Sequence, residues 1–66
     1  MEISLNGSPY QLPENTTLAL LIVQLGLINK RLAIEVNQEI VPRSQFESFL
    51  LTDNNHVEIV HAIGGG

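Results

Sequence analysis

Cysteine and tryptophan are missing from this 66-residue chain, and only Lys30, Arg31 and Arg43 carry a permanent positive charge. Each shortage excludes something. Without cysteine there is no disulfide framework, no thiolate metal site and no cysteine nucleophile. Three cations against seven carboxylates, a net charge of −4, are too few to neutralise a run of phosphates. There is no basic stripe or tryptophan platform either, so no nucleic-acid partner is expected. The longest apolar run, Leu18 to Val23, is six residues, whereas a bilayer span needs roughly 20, so no membrane segment is expected. Met-Glu-Ile at the start has neither the basic segment nor the apolar stretch of a signal peptide, which makes a cytoplasmic protein the expectation. Asn15-Thr16-Thr17 fits the glycosylation sequon only by accident on that reading.

What is present suffices for one small domain. An apolar content of 44% argues against disorder, and the length leaves no room for a second core. Met1, Ile3 and Leu5 alternate with Glu2, Ser4 and Asn6, the pattern of a half-buried strand. Asn6-Gly7 signals a hairpin turn, after which Tyr10 and Leu12 resume the alternation. Leu18, Leu21, Ile22 and Leu25 share one face of a helix, with Thr16 or Thr17 as its cap and Gly26 at its left-handed end. Leu32, Ile34 and Val36 mark a third strand. Asn37-Gln38 is a turn into a short fourth segment, Glu39 to Val41, which Pro42 ends. Phe46, Phe49 and Leu50 have the spacing of a short helical segment. Asp53-Asn54-Asn55 is a turn, and the last strand sets Val57, Ile59, His61 and Ile63 against His56, Glu58, Val60 and Ala62.

This order predicts an α+β domain over residues 1–63, a mixed sheet with one main helix across one face. If the first and last strands lie side by side in parallel, the arrangement is the ubiquitin-like β-grasp. A flexible glycine tail, residues 64–66, would follow.

Candidate chemistry is sparse. His56, Glu58 and His61 resemble a ligand cluster, but on a strand His61 points away from the other two, so no metal is predicted. The serines sit in no nucleophile motif, and the carboxylates are scattered one per element. No catalytic residue is predicted, and the chain does not read as an enzyme. The tail is different. Gly64-Gly65-Gly66 reaches at most about 10 Å, and without side chains it fits a narrow channel in another protein. Its carboxylate, with an ordinary pKa of roughly 3.5, is ionised at neutral pH and a poor electrophile until activated. Val60 and Ala62, opposite the core face and just before the tail, form an expected docking strip.

Over essentially its whole length the chain resembles the ThiS family of sulfur carrier proteins in thiamine biosynthesis. The residues that carry the resemblance are the Met-Glu-Ile-Ser-Leu-Asn-Gly start, the Leu18–Leu25 helix and Ala33-Ile34-Glu35-Val36-Asn37 followed by Ile40-Val41-Pro42-Arg43. Val57-Glu58-Ile59-Val60 leading to the glycines completes them. The resemblance implies that a ThiF-like adenylyltransferase uses ATP to adenylate Gly66, whose carboxylate then becomes a thiocarboxylate. Gly65 and Gly64 would enter partner active sites. Thiazole synthase, a ThiG-like partner, would take the sulfur. No cofactor would be bound by the chain itself, and the free protein would be a monomer. The small subunit of molybdopterin synthase and ubiquitin-like protein modifiers share the tail chemistry and stand as alternatives, as does an interaction module with incidental glycines.

Overall fold

The alternating start forms β1 (Glu2–Leu5), which pairs antiparallel with β2 (Ser8–Gln11). Asn6 and Gly7 turn between them at φ 49° and 86°, the left-handed pair that a two-residue hairpin loop of the right twist demands. The computed structural model describes residues 1–61.

The helix, α1 (Leu18–Gln24), has seven residues, too few to hold together alone in water. Its ends are tied instead. The Leu18 and Ala19 amides donate to the carbonyls of Phe49 and Phe46, each at 3.0 Å, and the Leu20 amide donates to Thr17 Oγ1 at 3.2 Å. Thr17 is therefore the cap. Thr16 is buried and donates its hydroxyl to the Pro13 carbonyl at 2.7 Å. At the other end Gly26 sits at φ 72°. The Gly26 amide donates to Val23 O and the Leu27 amide to Ile22 O, each at 3.0 Å, the paired bonds of a Schellman ending.

β3 (Leu32–Val36) and β4 (Glu39–Val41) form a second hairpin, turned by Asn37 at φ 51° and Gln38 at φ 72°. Gln38 has a Cβ in a conformation that favours glycine. Gln38→Gly is expected to stabilise the domain by about 0.5–1 kcal/mol. Urea unfolding checks this, and a midpoint that falls contradicts it.

β5 (His56–His61) enters the middle of the sheet, giving the order β2-β1-β5-β3-β4. It runs parallel to β1 and antiparallel to β3. This is the ubiquitin-like β-grasp arrangement. One face of the sheet meets α1 in a core of Ile3, Leu18, Leu21, Ile22, Ile34, Val36, Val57 and Ile59, with Leu12, Val41, Phe46 and Leu51 around it. The opposite face is open.

Two sequence expectations shift. The short helical segment begins earlier than Phe46: it is a 3-10 helix, Arg43–Gln45, that Phe46 closes. Pro42, at φ −64°, starts it directly. Leu50 is consequently not on the core face but 53% exposed, bridging to Thr17, and Leu51 is buried in its place. His61 is exposed although it alternates with Val57 and Ile59. It pairs with Leu32, where burial has already fallen from that of Ile34, so it lies past the edge of the core. Ile63 lies outside the described residues.

Candidate functional site

β5 is the element that leads to the glycines, so the surface around its end is the candidate site. Strand periodicity sends Val57 and Ile59 inward and His56, Glu58 and Val60 outward, and their burial follows that division. Val60 is 63% exposed. Directly across from it on β3 is Ala33, also exposed. One step back, Glu58 faces Glu35 on β3, and Ile40 of β4 faces Glu35 from the other side. Ile40 is 72% exposed. The open face thus carries an apolar pair next to the tail, an acidic pair behind it and a further apolar residue at the sheet edge. Like charges directly opposite each other in a sheet are unfavourable, and a basic partner relieves them.

Among the described residues no catalytic constellation forms on this face. Ser4 and His56 are register partners on β1 and β5, yet no hydrogen bond joins their side chains among the described residues. No three His, Asp or Glu side chains gather as a metal site among the described residues either. His56 and His61 leave opposite faces of β5. Arg43 is used within the fold. Its guanidinium donates to the Lys30 carbonyl at 3.0 Å and lies 5.8 Å from the Phe46 ring centroid. That packing ties the loop after α1 to the 3-10 helix.

Of the predicted site residues, Val60 is where the sequence puts it. Ala62, Gly64, Gly65 and Gly66 lie outside the described residues. Sequence reading did not single out Ala33, Glu35 and Ile40 as neighbours of the site, because only strand order brings them there. The role of Asn6 beyond its turn was missed for the same reason: its side chain bonds the backbone of Ile59, 53 residues away.

The ThiS family model matches residues 3–66. The chain belongs to the ThiS family. The sulfur carrier protein ThiS of Bacillus subtilis is 34% identical over 65 residues, covering 97% of this chain and 98% of that one. The crystal structure of the thiamine biosynthesis protein ThiS of Geobacter metallireducens superposes with a TM-score of 0.86 at 26% identity, over the whole of both chains. A thiazole synthase of Magnetococcus marinus is 38% identical over 66 residues, which are all of this chain but only 20% of that one. The chain therefore spans a fifth of that longer relative. No helix among the described residues is long and apolar enough to cross a membrane.

Proposed function

We propose that this ThiS-family chain carries sulfur as a thiocarboxylate on Gly66 and is itself no enzyme. The observation that carries the reading is the family match running to residue 66, through the three glycines. In this mechanism a ThiF-like adenylyltransferase binds the chain and ATP. The Gly66 carboxylate attacks the α-phosphorus and pyrophosphate leaves. A sulfur nucleophile then displaces AMP from the acyl carbon. Activation is needed because an ionised carboxylate is a poor electrophile. With no cysteine in the chain, the acyl carbon is the covalent site available for sulfur. Gly65 and Gly64 let the tail enter a channel that side chains would block. The chain binds no cofactor of its own and acts as a monomer in the cytoplasm, where ATP is held.

Thiazole synthase is the proposed recipient. The support is that a chain called thiazole synthase contains a stretch similar to all 66 residues here. A molybdopterin synthase role or a protein-modifier role lacks comparable support, since the matching model is that of ThiS.

Docking falls to the open face. Val60 and Ala33 supply apolar contact at the end of β5, and Glu35 and Glu58 supply charge for a basic partner surface. Val60→Ser removes the apolar contact there without adding charge or touching the core. Binding to the activating enzyme is expected to weaken about tenfold or more while the unfolding midpoint holds. Unchanged affinity would remove the open face from the docking account.

A further inference from the structure

We infer that the Asn6 side chain stands in for a missing strand residue and thereby positions the end of β5 from which the tail departs. The regular parallel ladder between β1 and β5 is short. Ser4 pairs with His56 and Leu5 with Val57, the Ser4 amide donates to Asn55 O, and the Asn6 amide donates to Val57 O, both at 2.9 Å. In a parallel pair the next bond runs from the Ile59 amide to the main-chain carbonyl of Asn6. At Asn6 the chain turns left-handed into the hairpin, φ 49°, and β1 leaves the sheet. The side chain replaces what is lost. Its Oδ1 accepts from the Ile59 amide at 2.9 Å, and its Nδ2 donates to the Ile59 carbonyl at 3.4 Å. One carboxamide thus satisfies both main-chain groups of Ile59 on the β1 side.

Ile59 is the last buried residue of β5. Beyond it, among the described residues, the strand is paired by β3, through Ala33 and Leu32. Among the described residues Asn6 is therefore the last tether on the β1 side before the segment that the proposed carrier chemistry delivers to its partners. Asparagine suits the task doubly, because it tolerates the left-handed turn and carries both a donor and an acceptor. Asn37 performs half of it at the other end of β5, its Oδ1 accepting from the His56 amide at 2.9 Å.

This inference rests on the sulfur-carrier reading, and its test separates the two. Asn6→Gly keeps the left-handed turn and removes the carboxamide. Asn6→Asp keeps the acceptor for the Ile59 amide and loses the donor. Amide exchange at Ile59 and pyrophosphate exchange with ATP and a ThiF-like activating enzyme are measured at a temperature where every variant is fully folded. In Asn6→Gly the Ile59 amide should exchange about tenfold faster. Its KM as substrate of the activating enzyme should rise about five- to tenfold with kcat unchanged, because a looser strand end must be ordered on binding. Asn6→Asp should recover part of both. A purely structural role moves stability but not KM. Wild-type and Asn6→Gly chains with equal KM overturn the inference and leave the carrier reading intact. A wild-type chain that is never adenylated overturns the carrier reading and the inference with it.

Discussion

A chain ending at Gly65 is expected to accept no sulfur, with its fold untouched. Among the described residues every member of the buried core lies between Ile3 and Ile59, and a glycine has no side chain to pack, so thermal unfolding should be unchanged. The shortened chain still ends in a carboxylate. That carboxylate sits one residue short, about 3.5 Å from where it must be. Misplacing a reacting atom by as little as 1 Å can cost about a hundredfold in rate. Loading should therefore fall below detection in an assay with ATP, a ThiF-like enzyme and a sulfur donor. The absence of cysteine sharpens the test, since no thiol in the chain can accept sulfur as a persulfide instead. A truncated chain that loads at the rate of the full one would falsify the assignment of Gly66.

The second large effect is on the fold. Ile34 is fully buried at the centre of β3, between Ile59 on β5 and Val41 on β4. Truncating such a side chain costs the transfer of its methyl groups plus a cavity, about 2–5 kcal/mol for isoleucine to alanine. A 66-residue domain without crosslinks has a total stability of only about 3–10 kcal/mol. Ile34→Ala is accordingly expected to leave the domain largely unfolded at 37 °C or close to it, read by far-ultraviolet circular dichroism and urea titration. Ile40→Ala is the internal comparison. At 72% exposure it should move stability by no more than about 0.5 kcal/mol. A loss at Ile34 no greater than that at Ile40 would contradict the described core.

How far the sequence discloses all this depends on the range of the interactions. The first hairpin was legible because Asn6-Gly7 sets its own conformation, and the end of α1 because Gly26 does the same. Alternation exposed β1, β3 and β5, and it placed Val60 outward correctly. Periodicity failed where a tertiary partner decided the outcome. Phe46, Phe49 and Leu50 look helical in spacing, yet their segment is used to bond the first amides of α1. That bonding, together with turns that return the Ser48 and Phe49 amides to the Gln45 carbonyl, ends the segment at the Thr17–Leu50 bridge, after which Leu51, not Leu50, faces inward. His61 obeys its strand parity but outruns the core. The neighbours of Val60 across the sheet, Ala33, Glu35 and Ile40, follow from strand order, which parity alone does not give. The same holds for Asn6: its turn was legible, its bonds to Ile59 were not. The three glycines were visible in the sequence, but on their own they are a weak signal, and their meaning came from the family.

The central claim is that Gly66 carries the sulfur. Intact mass of the purified chain, before and after incubation with ATP, a ThiF-like activating enzyme and a sulfur donor, tests it most directly. The account predicts a gain equal to the exchange of one oxygen for sulfur, mapped to the peptide that ends at Gly66. An unchanged mass, with the same enzyme shown to load a known ThiS carrier in parallel, would contradict it.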